Sequence, residues 1–189
     1  MRIIGGRLGG IRLHPPMNLP VRPTTDIAKE ALFNILQQYI EWDEAVCLDL
    51  FCGTGNISFE LASRGALEIQ AVDIHNKCLS YVKEVAIKYG LDMIRTRKGD
   101  VFKFVQRCKD SFDFIFADPP YDIGFLPQLP ELVLSNGLLN PGGILVVEHP
   151  TMRKLNEHVL HIETRKYGNS SFSFYKNSIL ESETARLDQ

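Results

Sequence analysis

Asp118-Pro119-Pro120-Tyr121 closes the apolar run 112–117. A strand that ends in a carboxylate, two prolines and an aromatic ring builds a stiff, polar-lipped pocket floor. Pro120 biases Pro119, and Pro119 biases Asp118, away from helical geometry. Neither proline has an N–H, so the Asp118 carboxylate and the Pro119 carbonyl can both accept from one ligand amino group. An exocyclic amine on a planar base is a poor nucleophile because its lone pair is delocalised into the ring. Two acceptors on its two N–H bonds draw it toward tetrahedral geometry and aim the lone pair at a methyl donor. Much of the acceleration is then positioning. Asp118 either takes the proton afterwards or orients the amine and stabilises the developing cation. Tyr121 is placed to stack on the base. The competing reading is a proline-rich turn with Tyr121 in the core.

A second motif, Asp49-Leu50-Phe51-Cys52-Gly53-Thr54-Gly55, lies upstream. Gly53 and Gly55 let the backbone bend and approach a ligand closely, and a helix starting near Asn56 points free N–H groups at the same place. A dinucleotide fingerprint would carry a third glycine where this chain has Ser58. A carboxylate at Asp49 would also repel a pyrophosphate. It suits a ligand with positive charge, such as the amino group and sulfonium of S-adenosylmethionine. Four acidic residues, Asp49, Asp73, Asp100 and Asp118, fall at or just after the ends of successive expected strands, the edge where open parallel sheets bind ligands. Asp73 is placed to accept both ribose hydroxyls. Asp100 is placed to accept from the adenine amino group, with Ile74 and Val101 sandwiching the ring. Cys52 has no neighbouring base in the sequence to activate it as a nucleophile.

These residues need a scaffold, and the periodicity supplies one. Expected strands at Ala45–Leu50, Glu68–Asp73, Met93–Lys98, Ser111–Ala117 and Gly143–Glu148 alternate with expected helices at Asn56–Arg64, Asn76–Tyr89, Val101–Cys108 and Phe125–Ser135. That alternation predicts a mostly parallel, Rossmann-like α/β sheet with helices on both faces. Val159–Arg165 and Ser171–Lys176, around Tyr167-Gly168-Asn169, predict an antiparallel C-terminal hairpin. Ahead of the sheet, two short strands flank a glycine-rich turn, and a helix capped by Thr24 or Thr25 runs to about Ile40. The expected organisation is an N-terminal hairpin-and-helix extension over 1–40, a catalytic domain over 41–180, and a frayed polar tail over 181–189.

The chain has 189 residues and a net charge of −2, but residues 1–30 carry a local excess of +3. A basic head on an acidic body points weakly to a polyanion near the N-terminus, with a solvated arm as the alternative. Arg2, Arg7, Arg12 and Arg22 are the candidates to hold flanking phosphates. The four cysteines, Cys47, Cys52, Cys78 and Cys108, lack zinc-type spacing, so free thiols and no metal are expected. With no apolar leader and no stretch of membrane-spanning length, the expected compartment is the cytoplasm, and a monomer is the simplest assembly.

Guanine presents N1–H and N2–H as adjacent donors, matching an acceptor-only carboxylate, whereas adenine presents N1 as an acceptor. Asp118 therefore leans toward guanine N2. A target amine inside a duplex is out of reach, so the base must be flipped or already unstacked, and RNA loops offer splayed bases readily.

With these motifs the chain resembles the bacterial small-subunit (16S) ribosomal RNA guanine-N2 methyltransferases. The resemblance covers about residues 1–177 and is most specific in Arg2-Ile3-Ile4-Gly5-Gly6, in Arg22-Pro23-Thr24-Thr25-Asp26, and in Lys29-Glu30 with Leu32-Phe33-Asn34. It implies a seven-stranded class I methyltransferase sheet, S-adenosylmethionine as cofactor, and one guanine of the assembling small ribosomal subunit as target. It also implies that Arg22 to Asp26, including Thr24 and Thr25, lies near cofactor and base. The family usually has Arg where this chain has Ile27, which would move one basic contact. The competing readings are a DNA adenine-N6 or protein glutamine methyltransferase, a non-catalytic cofactor-binding assembly factor, and a nicotinamide oxidoreductase. The first lacks a visible target-recognition region, and glutamine chemistry would prefer Asn at 118. Intact Asp118 and Tyr121 speak against the assembly factor, and Ser58 against the oxidoreductase.

Overall fold

Strict alternation of side chains along the strands divides the core into two layers. Cys47, Ile69, Phe114, Phe116, Ile144, Val146, Phe172 and Phe174 face one side; Leu48, Leu50, Val72, Ile115, Ala117, Leu145 and Val147 face the other. The computed structural model describes residues 1–17, 19 and 25–178. Seven strands form one sheet: β1 Val46–Leu50, β2 Glu68–Asp73, β3 Ile94–Lys98, β4 Phe112–Ala117, β5 Leu139–Pro150, β6 His161–Tyr167 and β7 Ser170–Lys176. Their order is β3-β2-β1-β4-β5-β7-β6. β1 to β5 are parallel, and β7 runs antiparallel between β5 and β6. The helices are α1 Asp26–Leu36, α2 Asn56–Arg64, α3 Asn76–Tyr89, α4 Val101–Arg107 and α5 Leu129–Ser135. Residues of α1, α2 and α3 pack on the first layer, and those of α4 and α5 on the second. The winding direction therefore reverses between β1 and β4, and such a reversal opens a crevice at the strand ends.

Helix ends follow the signals in the sequence. Gly65 and Gly90 close α2 and α3 in left-handed conformation. The Thr25 hydroxyl accepts from the Ala28 N–H and starts α1. That helix ends at Leu36, four residues before the expected Ile40, because the Tyr39 and Ile40 N–H groups both turn back onto the Leu36 carbonyl. α5 is also shorter than expected, with a 3-10 turn over Leu126–Gln128 ahead of it.

β5 begins four residues earlier than expected and ends two later. Asn140-Pro141-Gly142-Gly143 reads as a turn, but the register shift between Phe112 and Phe114 absorbs it as a bulge inside the strand. The expected N-terminal strands register as a single antiparallel bridge, Arg2 to Arg12, with further backbone bonds Ile3 N to Ile11 O and Gly10 N to Ile3 O. Ile3 and Leu13 are buried in the same cluster as α1, β4 and β7.

The attachment of this segment is polar as well as apolar. Glu60 of α2 is fully buried and accepts from the Ile4 and Gly5 N–H groups at 2.7 and 2.8 Å. It also pairs with the fully buried Lys29 at 3.2 Å. Lys29 donates on to the Arg2 carbonyl and to Asn56 Oδ1. Every lone pair and proton of such a pair needs a partner to offset its desolvation, and the N-terminal backbone provides several. Gly6 is required by contact: a Cβ there would lie 1.9 Å from the Ser63 carbonyl oxygen.

Candidate active site

At the carboxyl edge of β1, β2 and β4 lies a cavity of about 650 Å³, lined by Asp49, Gly53, Asp73, Ile74, Asp100, Val101, Asp118, Pro119, Pro120 and Tyr121 among others. The volume is that of a small-molecule or cofactor pocket. The cavity gathers all four strand-end carboxylates and the acceptor tetrapeptide.

The turn from β1 to α2 is wound tightly. Phe51, Gly53 and Gly55 have φ of 60°, 51° and 77°. Phe51 is the one described non-glycine residue with positive φ, a conformation that is held against a steric cost. A Cβ on Gly55 would come within 2.9 Å of Val82 Cγ2 and 3.1 Å of the Phe59 ring.

Asp49 points from β1 toward the N-terminus of α2. Its Oδ2 accepts from the Ser58 N–H at 3.0 Å and the Ser58 hydroxyl at 2.5 Å. Its other oxygen accepts no hydrogen bond from the described residues, and Asp49 lines the cavity. Burial pushes the carboxyl up to about 7, against the two Ser58 bonds, which hold it down. A bound cation would restore the ionised form, so the site fits the ammonium and sulfonium of S-adenosylmethionine. Ser58 entered the sequence reading only as a missing glycine; its hydroxyl is what holds the carboxylate.

Asp73 ends β2 with both oxygens engaged. Oδ2 accepts from the Gly53 N–H at 2.9 Å, and Oδ1 from the His75 N–H at 2.7 Å with His75 Nδ1 at 2.9 Å. A carboxylate has lone pairs beyond these, so ribose hydroxyls fit here as additional donors. The Asp73–Gly53 bond ties the second strand end to the glycine turn. Asp100 caps α4, accepting from the Lys103 N–H at 3.0 Å. Beside it Val101 is buried, while Ile74 is 55 % exposed, an open apolar face that suits one side of a planar ring. Phe51 and Phe102 line the same cavity and meet edge to face with centroids 6.1 Å apart. Sequence reasoning missed both rings. Cys52 is buried, and burial drives its thiol well above the ordinary range, which removes it as a nucleophile.

On the acceptor side, Asp118 is partly buried and Pro119 buried, while Pro120 is exposed. The Asp118 N–H extends the β1–β4 ladder to the Leu50 carbonyl at 3.3 Å. The Tyr121 hydroxyl is 2.6 Å from Ser170 Oγ and donates to Glu148 at 3.4 Å. Tyr121 is thus moored to β5 and β7. Arg153 donates to the Tyr121 carbonyl at 2.7 Å. Glu148, Ser170 and Arg153 lie far along the chain from the tetrapeptide and carry no motif, so spacing could not reveal them.

The basic candidates separate in space. Arg2 pairs with Asp26 at 3.4 Å, and Arg12 lies beside it across the hairpin bridge. Met1, next to Arg2, receives a contact from the Thr54 hydroxyl, so this end of the hairpin adjoins the glycine turn. Arg7 lies at the other end, donating to the Gly90 carbonyl at the C-terminus of α3. α3 has 14 residues, so that end is about 20 Å from the edge that carries the cavity. Thr25 is used as a helix cap. Arg22, Thr24 and the expected tail over 181–189 lie outside the described residues. Leu19 lines the cavity, bringing the N-terminal segment to its rim, and Ile27 is 79 % exposed. Among the described residues no helix is long and apolar enough to cross a membrane.

Residues 1–176 match the family model described as Conserved hypothetical protein 95. The chain is 29% identical over 183 residues to "Ribosomal RNA small subunit methyltransferase D" of Buchnera aphidicola subsp. Baizongia pistaciae, covering 94% of this chain and 92% of that one. It is 30% identical over 148 residues to the protein of the same name from Escherichia coli K12, covering 78% and 74%. Among solved structures, a hypothetical protein of Thermus thermophilus superposes with a TM-score of 0.80 at 29% identity, covering 93% of this chain and 98% of that one. Solved methyltransferase structures share the seven-stranded architecture. Fold and relatives together make S-adenosylmethionine the cofactor.

Proposed function

This chain belongs to the small-subunit ribosomal RNA methyltransferase family, and from that premise we propose that it methylates the exocyclic N2 amine of one guanine in small-subunit ribosomal RNA. The observation that carries the reading is a single cavity holding the Asp118-to-Tyr121 tetrapeptide together with Asp49, Asp73 and Asp100. S-adenosylmethionine supplies an electrophilic methyl group on a sulfonium. The residues of the chain do the rest. Asp49 offers a carboxylate oxygen to the cationic end of the cofactor. Asp73 and Asp100 bind its ribose and base. Asp118 accepts from the guanine amine, with the Pro119 carbonyl as second acceptor, and Tyr121 stacks on the base.

Asp118 favours guanine because a carboxylate only accepts, and guanine presents two adjacent donors. The basic N-terminal residues Arg2 and Arg12 lie on the glycine-turn side of the cavity and contact flanking phosphates. The extension over 1–40 acts as the RNA-contacting part and 41–180 as the catalytic part of a monomer working on the assembling subunit.

The test is incubation of the protein and methyl-labelled S-adenosylmethionine with unmodified small ribosomal subunits and, separately, their naked RNA, followed by digestion to nucleosides. Label in N2-methylguanosine is expected. Label in another nucleoside would overturn the base assignment while leaving the transferase. Label in neither sample would overturn the substrate.

A further inference from the structure

A second hollow adjoins the acceptor loop on the side toward β6. It measures about 250 Å³ and is walled by the segment after β5 and by residues of β6 and β7. We infer that this hollow takes a phosphate of the RNA strand next to the target base. The inference rests on RNA being the substrate, as proposed above.

Charge is the first argument. Arg153, Lys154 and Lys166 line the hollow against one acidic residue, Glu157. Lys154 and Lys166 are exposed, and neither side chain is committed to an ion pair or hydrogen bond among the described residues. In a chain of net charge −2 this local surplus of cations favours an anion. The hydroxyl of Thr151 stands in the same wall, hydrogen-bonded to Ser171 at 3.0 Å.

Size is the second argument. The hollow is smaller than the roughly 300 Å³ at which pockets for whole small molecules begin. It suits one phosphate group with part of its sugar rather than a second cofactor.

Position is the third. Arg153 donates from Nη1 to the Tyr121 carbonyl at 2.7 Å and from Nη2 to the Gly124 carbonyl at 3.4 Å. A guanidinium has five N–H donors in a planar fork, so Arg153 keeps donors for a phosphate while gripping the acceptor loop. It lines the hollow and bonds the backbone of Tyr121, which lines the first cavity. A phosphate seated against it lies one residue contact from Tyr121, where the backbone of a strand feeding its base to Asp118 must pass. Arg153 thereby ties the phosphate seat to the loop that receives the base. Sequence reasoning assigned RNA contact to the N-terminal segment alone, to Arg2, Arg7, Arg12, Arg22, Thr24 and Thr25; this places contact on the far rim as well, so that the strand is held on both sides of the flipped base.

The test is Lys154→Glu with Lys166→Glu, two exposed side chains remote from the core, with melting temperature verifying the fold. The control is Arg107→Glu with Lys109→Glu, an equal charge change at the C-terminal end of α4. Methyl transfer to unmodified small subunits is followed as a function of salt. The hollow variant is expected to raise the KM for subunits about tenfold and to flatten the log–log salt slope by about 0.8, the share of one phosphate. Its kcat at saturation and its affinity for S-adenosylmethionine stay unchanged. An unchanged KM and slope, or an equal change in the control, would overturn the inference. If the wild type methylates no ribosomal RNA, the functional reading fails separately. Binding of a short fluorescent single-stranded RNA then decides the hollow: the wild type must bind it, and the hollow variant must lose affinity where the control does not.

Discussion

In the proposed role of Asp49, a single carboxyl serves function against stability. Its pKa in the folded chain is about 7, against 3.8 for a free carboxyl. Because the folded value is raised, stability present at acid pH is lost as pH climbs from about 4 to 7, where the buried group must ionise. The cost approaches roughly 4 kcal/mol at neutral pH and above. Asp49→Asn should therefore raise the urea midpoint of the ligand-free protein at pH 8 and leave it little changed at pH 4. The same substitution should weaken S-adenosylmethionine by about 1.5–3 kcal/mol, since a charge-assisted contact is removed. In the wild type, affinity should fall as pH drops below 7, because the cation must then displace a proton; calorimetric titration at pH 6 and 8 measures this, and equal affinities would refute the charge role. Asp118→Ala should instead lower kcat by about 100-fold or more while cofactor affinity stays put, read by labelled methyl incorporation. Asp49, Asp73, Asp100 and Asp118 were legible because each falls at or just after the end of an expected strand. Ser58, Glu148, Ser170 and Arg153 were not. Their partners lie 9, 27, 49 and 32 residues away in sequence, and only the winding of the sheet brings them together.

At the scale of the elements, local chemistry was legible where it acts locally. α2 and α3 match their expected bounds because glycine at Gly65 and Gly90 ends each helix in a conformation other residues avoid. β5 did not, because its proline and glycines sit in a bulge whose existence depends on the neighbouring strands. The N-terminal hairpin is the instructive case. Its two arms were visible, but its anchorage was not: a buried Lys29–Glu60 pair whose spare hydrogen-bonding capacity is taken by Arg2, Ile4, Gly5, Asn56 and Arg64. Lys29→Met should cost about 1.5–3 kcal/mol in chemical denaturation, because Glu60 loses its lysine but keeps Arg64 at 2.9 Å and the Ile4 and Gly5 N–H groups. Amide exchange should quicken across residues 3–13 before it does in the sheet. Asn56 opens α2 directly after the glycine turn, so the same variant should also weaken cofactor binding. A variant with normal stability would mean that the pair is dispensable to the docking of this segment.

For the molecule as a whole, the reversal of winding between β1 and β4 explains why the strand-end carboxylates and the Asp118-to-Tyr121 tetrapeptide share one cavity. β1 carries the glycine turn, β4 carries Asp118, and they are direct neighbours, with Leu50 opposite Ala117. The sequence placed both motifs at strand ends, yet their adjacency follows from the strand order. The proposed division into an RNA-contacting extension over 1–40 and a catalytic part over 41–180 concerns function, and the packing argues that it is not a division in folding. Ile3, Leu13, Ala28, Leu32, Phe33 and Leu36 belong to the same buried cluster as Phe114, Phe116, Phe172 and Phe174. The Trp42 ring stands between them, 5.6 Å from Phe33 and 5.7 Å from Phe114 by centroid. Removing residues 1–40 would expose that layer of the sheet to water at a cost of about 1.5–3 kcal/mol for each large apolar side chain, which exceeds the margin of an ordinary domain after only a few such side chains. The full chain should therefore unfold in urea as one transition, with coincident fluorescence and circular dichroism midpoints. A chain beginning at residue 41 should show no cooperative transition and should bind hydrophobic dye. Two resolved transitions in the full chain, the first leaving the sheet intact, would instead make the extension a separable arm, able to swing toward RNA on its own.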